Sequence, residues 1–128
     1  MINNFDITSI ENAFTAAVRA LGFDRVWNNR PKAVSDDISD FVVVRVSGGI
    51  TDRAAYGDCR VMVYLFARDI KEMKNAKKLS VMHQKLRDLP SWIEPLLVNP
   101  HPRVIGDTAD DFGFHTRIIN FKVFIKAQ

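Results

Sequence analysis

Asp58-Cys59-Arg60-Val61-Met62-Val63-Tyr64-Leu65-Phe66-Ala67-Arg68 reads as a β-strand with two unlike faces. Successive side chains point to opposite sides of a strand, so Cys59, Val61, Val63, Leu65 and Ala67 share one face. They are small to medium aliphatic residues and suit a core. Arg60, Met62, Tyr64, Phe66 and Arg68 share the other face and are large and amphipathic, so they must cover something else. Such a strand needs sheet partners. Upstream, residues 41–46 are β-branched, with Val42, Val44 and Val46 on one face and Phe41, Val43 and Arg45 on the other. Ser47-Gly48-Gly49 is expected to end that strand, the glycines permitting a tight turn. Downstream, residues 103–106 form a weaker strand and residues 112–126 a stronger one, in which Ile119, Phe121, Val123 and Ile125 alternate. Phe112, Phe114 and Ile118 have the opposite parity, which predicts a bulge or a change of sheet face between Ile118 and Ile119.

Two helices flank these strands. Thr8 and Glu11 have the spacing of a capping box, and Ile10, Phe14, Ala17, Val18 and Leu21 then recur on one face, with Gly22 as terminator. A second helix is predicted from Asp69, as N-cap, to Leu89, just before Pro90. Ala76, Leu79, Met82, His83, Leu86 and Leu89 fall on one side of it, and Lys71, Lys74, Lys78 and Lys85 cluster beside them. Residues 91–97 add a short helical turn, and Asn99-Pro100-His101-Pro102 is a rigid connection. In residues 23–40, Phe23, Val26 and Trp27 make a short strand or an anchored loop. The order helix, strands, helix, strands gives an α+β fold: a mostly antiparallel sheet of four or five strands with both helices on one face. The chain has 128 residues, which reads as a single domain over residues 1–128.

The composition excludes more than it selects. No apolar run approaches the ~20 residues that span a bilayer, and the start of the chain lacks the basic and apolar pattern of a signal peptide. A soluble protein made in the cytoplasm is expected. Cys59 stands alone, so no internal disulfide forms, and its apolar surroundings predict a buried, inert thiol. The net charge of +3 is too small to imply nucleic acid without a concentrated patch.

No catalytic, cofactor or metal site is expected. His83, His101 and His115 lack the spacing of a metal site. Asp36, Asp37 and Asp40, with Asp107, Asp110 and Asp111, lack the ligand pattern of a calcium loop and read as solvated turns. Gly48-Gly49 matches no phosphate-binding motif, and no serine or cysteine has a locally placed base. Lys71, Lys74, Lys78 and Lys85 form a candidate basic face for a nucleic-acid-binding module; the alternative is a solvated helix face. Met62, Tyr64, Phe66 and Phe124 form a candidate subunit interface, since large apolar side chains outside a sheet mark a partner surface or lie under the chain's own residues 23–40. Burying each recovers ~1.5–3 kcal/mol.

The layout as a whole resembles the small tail-terminator, or tail-completion and head–tail joining, proteins of tailed bacteriophages and prophages. The likeness rests on the capped N-terminal helix, the strand Phe41-Val42-Val43-Val44-Arg45-Val46, and a turn through Gly48-Gly49 and Tyr56-Gly57-Asp58. It continues with the long strand Arg60-Val61-Met62-Val63-Tyr64-Leu65-Phe66-Ala67 leading into a lysine-rich helix, and the closing strand Arg117-Ile118-Ile119-Asn120-Phe121-Lys122-Val123-Phe124-Ile125. What the resemblance implies is a virion structural protein and not an enzyme. It implies a homo-oligomeric ring, typically a hexamer, whose partners are tail tube and neck proteins, located in the bacterial cytoplasm during assembly and then in the virion tail. Residues 50–58 would be an arm for contacting tube or neck proteins. Ring closure requires two complementary patches on each subunit.

Overall fold

Helix α1 spans Ile7–Arg19 and is capped by Asp6, whose carboxylate accepts from the Thr8 amide at 3.2 Å and the Ser9 hydroxyl at 3.0 Å. The expected Thr8–Glu11 capping box does not form. Glu11 reaches across to the sheet, where Oε2 accepts from the Val46 amide at 2.9 Å. Ile10, Phe14, Thr15 and Val18 are the buried face. Gly22 follows with φ +99°, the left-handed conformation expected of the terminator.

These coordinates form a computed structural model that describes residues 6–53, 56–110 and 112–126. Strand β1 is Val26–Trp27, β2 is Asp40–Asp52 and β3 is Tyr56–Arg68. Helix α2 is Ala76–Leu86, and β4 to β7 are Trp92–Ile93, Leu96–Val98, Arg103–Ala109 and Phe114–Lys126. Among the described residues one seven-stranded sheet results, ordered β1-β2-β3-β7-β5-β4, with β6 also on β7. The fold is α+β, as the strand and helix order implied. The sheet has more strands than the four or five expected, and the β1–β2 pairing is parallel while the other pairings are antiparallel.

Several expectations are corrected by the backbone. Gly48-Gly49 does not end β2; the strand runs on to Asp52 past a register shift between Ser47 and Thr51, with Gly48 at φ +75°. A bulge absorbs the glycine that a turn would otherwise have used. Residues 91–97 are a small β-hairpin, not a helical turn, because Leu96 and Val98 pair with β7 and are buried. β7 pairs with β3 in unbroken register, so there is no change of face at Ile118. Its two parities serve two different packed faces. The register shift on this side lies in β6, between Val104 and Gly106.

The main core lies between the helices and one face of the sheet. It joins Ile10, Phe14 and Val18 of α1 and Leu79, Met82 and Leu86 of α2 to the aliphatic faces of β2, β3 and β7. Cys59 is part of it, and burial pushes its thiol up to about 11, consistent with an inert group. The opposite face of the sheet, here called the far face, carries a second, smaller cluster of Phe41, Val43, Phe66 and Phe114. Trp27, Val34, Ile38 and Tyr64 pack against it.

Candidate functional site

The far face divides into three zones along the strands. The first is sealed. Phe66 is only 6% exposed, stacked on Phe41 at 4.4 Å between ring centroids, with Trp27 over Phe41 at 4.9 Å. Arg30 roofs the cluster: its guanidinium lies 4.7 Å from the Phe112 ring centroid and 5.5–5.8 Å from those of Phe66, Phe114 and Phe41. Nη2 of Arg30 donates to Asp110 at 2.9 Å, and Asp110 also accepts from the Phe112 and Phe114 amides. Residues 27–40 thus cover Phe66 with the protein's own chain. As part of a free subunit interface, Phe66 is therefore a correction. Within residues 23–40 the short strand is β1, and Trp27, Val34 and Ile38 anchor the rest to the cluster while Ser35, Asp36 and Asp37 stay exposed.

The second zone is a band in mid-strand. Arg45 stands opposite Met62, Met62 opposite Asn120, and Asn120 opposite Arg103; one step on, Ser47 stands opposite Arg60 and Arg60 opposite Lys122. Arg45, Arg60, Arg103 and Lys122 are exposed, and none has a carboxylate partner among the described residues. Met62 is half-buried within the band and Tyr64 half-buried at its edge. A recess of about 330 Å³ between Arg30, Arg45 and Tyr64 opens on one side of the band. Another, of about 320 Å³, lies by Thr51, Arg60 and Lys122 on the other side.

The third zone is apolar and lies where the start of β3 meets the end of β7. Leu97 stands opposite Phe124 and Trp92 opposite Leu97. The Tyr56 ring meets Phe124 at 6.1 Å. Tyr56 is 42% exposed, and Trp92 and Leu97 are each 50% exposed. Of the expected interface, Phe124 lies here, Met62 and Tyr64 lie in mid-strand, and Phe66 is sealed. Trp92 and Leu97 went unread because a two- or three-residue strand leaves no visible alternation, and Tyr56 was read as turn because Gly57 follows it, although it opens β3. Residues 54–55, part of the expected 50–58 arm, lie outside the described residues.

The lysines do not form one helical face. Lys71 and Lys74 precede α2, whose N-cap is Asn75. Residues 70–73 form a tight turn, with Ile70 and Met73 exchanging backbone bonds of 2.9 Å and positive φ at Lys71 and Glu72. Lys74 pairs with Asp107 at 3.2 Å and Lys78 with Asp40 at 3.2 Å. Lys85 donates to the Gly22 carbonyl and lies over the Phe23 ring. Asp107 also takes a two-pronged bond from Arg117, at 2.7 and 3.0 Å, and that guanidinium holds its carboxyl below the usual range.

His83 is held below its ordinary pKa chiefly by burial, then by Arg117 and Arg87. It borders a recess of about 210 Å³ with Leu86, Val98 and Phe121. His115 contacts Asp69 at 2.6 Å. Among the described residues no group of three or more His, Cys, Asp or Glu side chains could hold a metal ion; Asp111, one of the acidic residues considered above, lies outside them. No described helix is long and apolar enough to cross a membrane. Neither a protein-family model nor a curated protein matches the chain.

Proposed function

We propose that the chain is a structural subunit of a phage or prophage tail, a ring-forming tail-terminator or neck protein that meets further copies of itself and the tail tube and neck proteins. The observation that carries the assembly reading is the zone formed by Tyr56, Trp92, Leu97 and Phe124, which presents exposed aromatic and aliphatic surface. Apolar surface of this kind is stabilised when a partner removes it from water, at about 25 cal/mol per Å². Its position next to β4, an edge strand only two residues long, lets a neighbouring subunit approach without displacing the sheet's own pairings. The tail assignment comes from the likeness of layout described above.

Size-exclusion chromatography with light scattering, from micromolar to near-millimolar chain, tests the reading, with rings sought by negative-stain microscopy. The expected result is a closed oligomer for the unaltered chain. Phe124→Glu should dissociate it while the circular dichroism and melting midpoint of the monomer stay close to the original. A monomer at every concentration, both alone and with purified tail tube protein, would remove the proposal.

A further inference from the structure

We propose that the middle of the far face binds single-stranded nucleic acid, a role separate from subunit assembly. Four cations, Arg45, Arg60, Lys122 and Arg103, come from four adjacent strands, β2, β3, β7 and β6, and form one band. Neighbouring strands are ~4.8 Å apart, so the band is about 14 Å wide, enough to follow several phosphates of one strand. The nearest carboxylate in register, Asp58, is already held by Arg53. Like charges gathered on one face repel one another, and a polyanion relieves that repulsion while releasing its own counterions.

The ligand class follows from what stands between the charges. Tyr64 flanks the band with a partly exposed ring, and the recesses beside it are large enough to admit a base edge. A sheet face with an aromatic ring beside cations can stack unpaired bases, whereas a duplex keeps its bases stacked inside and an acidic peptide has none. Asn120 sits at the centre of the band, and its buried Oδ1 accepts no hydrogen bond. This surface is distinct from the lysines around α2, two of which are engaged in ion pairs.

The experiment is fluorescence anisotropy of a labelled twelve-nucleotide single-stranded DNA with the full chain, titrated across salt. Binding at low salt is expected to weaken with a log–log slope of about −3, as for roughly four phosphate contacts. Arg60→Glu with Lys122→Glu should abolish it, with the melting midpoint and oligomeric state preserved; Lys77→Glu, on the exposed side of α2, should leave affinity within about twofold. Tyr64→Leu should cost about tenfold in affinity without changing the salt slope, separating stacking from charge. The proposal is overturned by no binding at the lowest salt or by equal affinity for duplex of the same length. It is also overturned by competition from poly-glutamate as effective as that from the oligonucleotide, which would give the band to an acidic protein.

Discussion

Arg30 shows how one side chain redirects a surface. Its guanidinium faces four aromatic rings and holds Asp110, and Asp110 in turn holds the amides of Phe112 and of Phe114, the first residue of β7. The side chain is 20% exposed, so the interactions operate in a partly dry setting where they are stronger than on an open surface. Nothing near Arg30 in the sequence announces this, because the partner carboxylate is eighty positions away. Arg30→Met keeps an apolar cover over the rings but leaves Asp110 without its cation. A loss of about 2 kcal/mol in urea unfolding is expected, with Arg30→Lys recovering only part, since an ammonium has no planar fork to lie over the rings. No loss for Met would mean that the roof is held by Trp27 and Ile38 alone.

At the scale of elements, residues that alternate or recur over a long run were legible, and short or strained segments were not. The two faces of β3 and the apolar stripe of α1 follow from period alone. The start of α2 did not, because Asp69-Ile70-Lys71-Glu72 combines an N-cap residue with good helix formers. The backbone instead places Lys71 and Glu72 at φ +52° and +64°, in the manner of a type I′ hairpin turn. A side-chain-bearing residue in that region costs roughly 1–2 kcal/mol. Lys71→Asn with Glu72→Gly is therefore expected to stabilise the protein by about 1 kcal/mol, net of the added freedom of glycine in the unfolded chain. Thermal and chemical unfolding would show it as a higher midpoint. A lower midpoint would mean that these residues make contacts worth more than the backbone strain.

For the molecule as a whole, the far face was legible as unusual but not as divided. Its bulky residues were visible by parity, yet parity says nothing about which end the chain folds back to cover. Phe66 and Phe124 lie on the same face of neighbouring strands, β3 and β7, and their positions give them opposite roles. Phe66 is packed between Phe41 and Phe114 under residues 27–40, so Phe66→Glu would bury a carboxylate among aromatic rings, and Arg30, the cation that lies over them, is already committed to Asp110. Destabilisation by more than about 3 kcal/mol is expected, seen as loss of the cooperative melt, whatever the oligomeric state. Phe124 borders solvent beside Tyr56 and Leu97, where a new carboxylate stays hydrated and Lys122 and Lys126 are close in sequence. Its cost should fall on assembly. If instead Phe66→Glu melts like the unaltered protein, residues 27–40 are not a fixed cover, and the sealed zone would become part of the surface available to a partner.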